Sequence, residues 1–529
     1  MRAALLLLCL RAASPARCRF SLDYSCAGFL QNASSAAEFL HLYASAQAAF
    51  ASPAVGLDGA SGLTFDGHPL DYATGALLGG PHPFSAASKE SLHVSLLALS
   101  LRGSAVAAAA VGGPAAAAAA AAAKLASYAS FNASRPGYGC HLPWFLTPSM
   151  APAADWASPP RVPALDNGEL AWAVFALADA LGAAAAAGNA SLAPLAAGWG
   201  AWFTCMAASA KPMFYFGGGR VAAVVSIANV SVPPPLNTYS NAGGYTLQDP
   251  YEGEAFTVLL DLFAPLSPSE RAQLWASKRP QLQPVAYASA AAGGRITAQR
   301  GWWFSAHENW KAALLPYGEV PAAARVLRST ERARSWWGVD ARSPGLLASA
   351  NDVAAVGTRA PPGYVSAAGV PALAFAGGAF RRDVLAPYGA WQALLYNASV
   401  GACWLRSTLA APRAQGTFGA TEAVAANGTL ISPLATWDTT MTVVLAAAGG
   451  VGGWVGAALR RLAPGQPPAA GWERGGSSGG GAPTAFDQFA ATLGGEYAAA
   501  FPEVEGEGLG WGTPVASVPE GLAPWPQCA

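Results

Sequence analysis

Charge is scarce in this chain. Only 11% of its 529 residues are charged, thirty basic against thirty acidic, so the formal net charge is zero. That balance excludes the basic face that nucleic acid or an anionic membrane surface would require. Histidine is rarer still, with six residues, and no Cys-x-x-Cys pair occurs, which argues against a transition-metal site. The stretch His307 to Lys311, HENWK, lacks the second histidine of a zinc-protease helix, because Lys311 occupies that position. A glycine loop followed by lysine and serine or threonine, which would cradle phosphate, is missing. GGSSG at 475–479 matches a nucleophile elbow in letters alone, since it lies in a Gly/Pro/Ser tract with no strand before it. Clean membrane-length apolar runs are absent as well. Ser104 to Ala123 is interrupted by Gly112, Gly113 and Pro114, and Thr439 to Leu459 carries glycines and threonines, so both read as buried helices and no membrane span is expected.

Apolar residues, by contrast, are plentiful. At 53% hydrophobic, a chain of this length can bury a large core. Residues 1–16 have a basic start, an apolar stretch and small residues, the layout of a secretory signal, with the cleavage point left open. Six Asn-x-Ser/Thr sequons, at Asn32, Asn132, Asn189, Asn229, Asn397 and Asn427, fit a secreted, extracellular glycoprotein. Cys26, Cys140, Cys205, Cys403 and Cys528 then remain, with Cys18 depending on the cleavage point. They allow one or two disulfides whose pairing the sequence does not give; buried free thiols are the alternative.

Helical periodicity dominates the rest. It predicts helices over Ser35–Phe50, Lys89–Leu101, Ala115–Ala129, Glu169–Leu181, Leu192–Ala208, Glu252–Phe263, Pro321–Trp336, Val384–Tyr396 and Thr439–Ala447. Arg220 to Val232, rich in β-branched residues and closed by three prolines, reads as a hairpin inserted between helices. Long connections at 212–250 and 357–378 are rich in glycine, proline and aromatics, a composition that suits functional loops. The 464–483 tract reads as a flexible insertion. No linker splits 17–529, so a single all-α domain is expected.

Where carboxylates are this few, each needs an explanation. In DPYEGE at 249–254, Asp249 suits a helix N-cap, Pro250 the first helical position, and Glu252 a return bond to the cap. Glu254 has no such local role. At 100° per residue the two glutamates point about 200° apart, so one cavity can receive at most one of them. Further polar and aromatic blocks stand at LDNGELAW (165–172), GWWFSAHENW (301–310), GTRAPPGYVS (357–366), GTFGATEAV (416–424) and SPLATWDTT (432–440). Eighteen tryptophans beside such groups suit the apolar faces and hydroxyls of sugar rings, although helix packing alone accounts for most tryptophans. Asp166, Asn167 and Asp438 can equally serve as helix caps.

Taken in order from Leu165 to Trp454, these blocks resemble the eukaryotic endo-β-1,2-glucanases of glycoside hydrolase family 162 and, more distantly, the bacterial family 144. The resemblance implies an (α/α)6 toroid with the substrate cleft across one end, among long loops and a small β-hairpin insertion. It also implies endo-acting, inverting hydrolysis of β-1,2-glucan to sophoro-oligosaccharides, without metal or cofactor. It assigns the general acid to the second glutamate of YEGE, Glu254, and the general base to the aspartate of TWD, Asp438. A helix N-terminus favours the ionised carboxylate, whereas an acid must hold its proton, so Glu254 needs a compensating environment. Because the family's base is held to reach water through a sugar hydroxyl, the carboxyl separation can exceed the usual inverting range of about 6.5–9.5 Å. Substrate contacts are expected from Asp166, Asn167, Tyr251, His307, Glu308, Arg359, Tyr364, Glu422 and Trp437. A related hydrolase with another linkage or an exo mode, and a non-catalytic secreted glycan-binding protein, are the alternatives. Oligomeric state is not readable.

Overall fold

The computed structural model describes residues 18–251, 253–355, 363–466 and 482–528, so the expected leader and most of the 464–483 tract lie outside the described residues. Helices form where periodicity places them and run slightly longer, for example Ala87–Leu101, Gly113–Ser134, Ala164–Ala186, Ala193–Phe214 and Pro321–Asp340. One expected helix is corrected. Val384–Tyr396 resolves into a strand at Val384–Leu385, a 3-10 turn at Pro387–Ala390 and a helix only from Trp391 to Tyr396, because Pro387 has no N–H to give to a continuous helix. The expected hairpin is corrected too. Val224–Ile227 is the middle strand of an antiparallel sheet, paired on one side to Arg161–Pro163 and on the other to Tyr239–Asn241. A longer hairpin that periodicity did not signal, Pro284–Ser289 with Gly294–Gln299, lies elsewhere in the chain.

The helices build the double ring of an (α/α)6 toroid. Inner helices are buried on every side: all of Gly253–Phe263 is buried, and Ala87–Leu101, Ala164–Ala186 and Trp437–Ala447 nearly so. Outer helices bury one stripe. The alanine-rich Gly113–Ser134 buries Ala117, Ala121, Lys124, Tyr128 and Phe131, a spacing of three and four that turns the remaining alanines outward. Ring closure is visible where Trp437–Ala447, late in the chain, packs against the early Ala87–Leu101. Ala164–Ala186 packs against Ala87–Leu101, Ala193–Phe214 and Gly253–Phe263. Its first turn approaches the last of these so closely that a Cβ on Gly168 would lie 2.7 Å from the Phe256 nitrogen, so glycine is required there.

Among the described residues, Ala164–Ala186 is the one helix long and apolar enough to cross a membrane, and 72% of its apolar window is buried inside the ring. The two runs weighed as spans are bent pairs. Ala105–Val111 and Gly113–Ser134 meet at 59°, with Gly112 in the left-handed region at φ 81°, and Trp437–Ala447 and Gly452–Leu459 meet at 62°. Three disulfides, more than the one or two expected, join Cys18 to Cys528, Cys26 to Cys403 and Cys140 to Cys205.

Candidate functional site

Three inner helices begin at one cavity of about 490 Å³, a volume within the range of small-ligand clefts. Ala87–Leu101 brings Lys89 to its wall, Ala164–Ala186 brings Asp166 and Glu169, and Trp437–Ala447 brings Asp438. Asp438 lies in the first turn of a helix capped by Thr436, where the dipole favours a carboxylate, and so is not itself the cap. Lys89 Nζ donates to Asp438 Oδ2 at 3.0 Å, while Asp438 Oδ1 is buried without a partner. Asp66, which lines the same cavity, stands 3.7 Å from the ammonium and 3.2 Å from His82 Nδ1. Burial alone would lower the Lys89 ammonium, but Asp438 and Asp66 together raise it above its ordinary value.

Glu169 faces the same cavity, 1% exposed, with Oε2 unpartnered. Burial first, then the like charges of Asp166 and Asp438, push its carboxyl well above the usual range. A protonated Glu169 can donate to a hydroxyl, and a carboxylate oxygen of Asp438 can accept from one.

The remaining expected residues divide between cleft and scaffold. Asp166 lines the cleft and accepts from Trp144 Nε1 at 2.8 Å. His307 also lines it, its imidazole lowered to about 4 by burial and by Lys89, and Tyr364 is 55% exposed at the wall. Glu422 touches the cavity, but its oxygens accept from the Asn351 N–H at 2.9 Å and from the Thr436 and Thr439 hydroxyls, so it pins the turn that carries Asp438. Four residues do not reach the cleft. Asn167 spends its amide on the backbone of Leu142 and Pro163. Trp437 is fully buried against Phe50 and His93 and donates to the Gly56 carbonyl. Tyr251 is 3% exposed and donates to the Gln299 carbonyl. Glu308, rather than holding sugar, accepts from the N–H groups of Trp302, Trp303 and Ser305 and thereby shapes the tryptophan loop. Arg359 lies outside the described residues.

Glu254 is not among the residues that line this cavity. Its side chain is fully buried; Oε1 accepts from Lys311 Nζ at 3.1 Å and from the hydroxyls of Tyr317 and Tyr497, while Oε2 is buried without a partner. Lys311 in turn lies over the rings of Tyr251, Tyr317 and Tyr497, at 4.8, 5.0 and 5.6 Å from their centroids. Asp249 holds the turn before the helix, accepting from the Tyr251 N–H at 2.7 Å and the Gly253 N–H at 3.3 Å, but the helix starts at Gly253, so Pro250 is not its first residue and Asp249 not the N-cap expected. Glu252 lies outside the described residues.

Sequence reasoning missed Lys89, Asp66, Glu169 and Trp144. For Glu169 a signal existed, since it follows Asp166 by three residues and shares its helix face. Trp144 gave none. It is 38% exposed, stands edge-on to Phe84 at 5.7 Å and lies 4.6 Å from Trp156, a rigid apolar platform fixed by its bond to Asp166. Covering such a ring with a sugar face removes enough apolar area that Trp144→Ala is expected to raise KM for a glucan about tenfold, with kcat less affected. Steady-state kinetics on the purified variant check this; an unchanged KM would make Trp144 packing only.

Residues 63–463 match the family described as endo-beta-1,2-glucanase SGL, GH162. A solved structure of the endo-β-1,2-glucanase of Talaromyces funiculosus with sophorose is 35% identical, with 97% of this chain and 99% of that one covered, at a TM-score of 0.87. A mutant of the same enzyme with β-1,2-glucan is also 35% identical over the same shares, at 0.86. The endo-β-1,2-glucanase of Chitinophaga pinensis, in complex with sophorotriose and glucose, is 11% identical over 80% of this chain and 94% of that one, at 0.55, and shares the fold alone. Among curated proteins none matches the chain.

Proposed function

We propose, from the premise that this chain belongs to the endo-β-1,2-glucanases of glycoside hydrolase family 162, that it cleaves β-1,2-glucan internally with inversion and that Asp438 is its general base. The observation that carries the reading is the pairing of Asp438 with Lys89 in a cavity that also holds Glu169 and the Trp144 platform. Oδ1, the unpartnered oxygen, is the atom that takes the proton, from the attacking water itself or from a sugar hydroxyl that takes the water's proton in its place. Cleavage of an inverting kind needs a second carboxyl to protonate the departing oxygen. That role falls to Glu254, as the resemblance implies: Oε1 is held by Lys311, Tyr317 and Tyr497, and Oε2, buried without a partner, is the oxygen left to carry the proton. Bound glucose is held by Asp166, His307, Tyr364 and Trp144, with Arg359 as a further hydroxyl ligand. Six sequons, the leader-like start and three disulfides support action outside the cell.

A panel of β-1,2-, β-1,3-, β-1,4- and β-1,6-glucans tests the substrate. Activity on the β-1,2 polymer, with mixed oligomers early in digestion and an α-anomer formed first by proton NMR, is the expected result. Disaccharide released only from chain ends would make the enzyme exo-acting. A first-formed β-anomer would exclude inversion, and inactivity on every glucan would favour a binding protein.

A further inference from the structure

We infer that Lys89 is a positioning residue for the base, fixing which oxygen of Asp438 is left free to accept the proton; this rests on the reading of Asp438 as base. Its place in the fold is the first sign. Lys89 is the third residue of Ala87–Leu101, a helix whose N-cap Ala86 offers no side-chain bond. A cation in a first turn opposes the helix dipole, so that position ordinarily favours Asp or Glu. The side chain is only 16% exposed, which adds a desolvation penalty. A cation kept where both effects oppose it must be compensated, and the compensation is Asp438 at 3.0 Å and Asp66 at 3.7 Å.

The two contacts differ in kind. The first is a charge-assisted hydrogen bond, and the second is too long to be one and acts through charge alone. Donation to Oδ2 therefore occupies one oxygen of Asp438 and leaves Oδ1 as the acceptor. Asp66 is shared with His82, which holds its other oxygen at 3.2 Å, so the ammonium has a second, fixed carboxylate beside it. The other titratable groups that sense the Lys89 charge are Asp166 and Glu169 on the neighbouring inner helix, His307 on the tryptophan loop and Tyr364 at the wall.

Lys89→Met tests this in the full-length enzyme, on β-1,2-glucan. The expected result is a fall in kcat of about 10²-fold with KM within about threefold, the scale of losing one preorganised donor. The acidic limb of the kcat/KM profile should also move up by about one pH unit, because the ionised base loses its cation. Lys89→Arg should restore part of the rate and return the limb toward its wild-type position. Should the methionine variant fail to fold, Lys89→Gln replaces it with the same readouts. Wild-type kcat with an unmoved limb overturns the inference, as does a loss of rate with an unmoved limb that arginine does not repair. If Lys89→Met behaves as wild type while Asp438→Asn is inactive, only the role of Lys89 falls. If Asp438→Asn keeps its turnover, the base reading falls and this inference with it.

Discussion

Asp438→Asn should lower kcat on β-1,2-glucan by about 10³-fold or more, with the melting temperature close to that of the wild type. The amide keeps the shape of the side chain and can still face Lys89, but it has no basic oxygen to accept a proton, so the attacking oxygen stays poorly nucleophilic. Folding should survive because the side chain is partly exposed at the cleft wall and caps nothing; the cap of its helix is Thr436. The turn beneath is fixed independently by Glu422 through Thr436, Thr439 and Asn351. Turnover within about threefold of wild type, measured on protein of unchanged melting temperature, would remove Asp438 from the reaction, since losing a positioned base costs at least about 10²-fold.

Glu254→Gln should lose both stability and turnover. Glu254→Gln breaks a buried ion pair and leaves the Lys311 ammonium among three tyrosine rings without its carboxylate. Breaking a buried pair costs about 3–5 kcal/mol, so a lower denaturation midpoint is expected. Beside it, kcat of the folded fraction should fall by about 10³-fold or more, as expected when a general acid is removed. Urea unfolding and single-substrate kinetics separate the two effects. If the variant is destabilised but its folded fraction keeps its turnover, Glu254 is structural and not the acid. Should it keep turnover while Glu169→Gln loses it, the acid is the protonated carboxyl already in the cavity.

Much of this was legible in the chain, for reasons that differ by residue. Inner and outer helices declared themselves through apolar periodicity, because that depends on neighbours within one or two turns. Asp438 was found by its block, and the cavity it lines lies at its own helix start. Asn167 and Trp437 were misread since a buried amide clamp and a buried indole look like ligand-binding groups until their backbone partners, Leu142 and Gly56, are known. Those partners lie 25 and 381 residues away, and no local pattern encodes them. Lys89 was invisible for the same reason, being separated from Asp438 by 349 positions.

The bond between Cys18 and Cys528 spans 510 residues and makes the described chain, in terms of connectivity, a closed circle. A single protease cut in any loop between those cysteines would open a new pair of termini while the old pair stayed joined. The product would be a permuted chain still in one piece, held a second time by Cys26–Cys403 where the cut falls between those residues. Only a thiol reductant, or a second cut, would release a fragment. Such a molecule ages slowly where proteases are abundant and reductants are scarce.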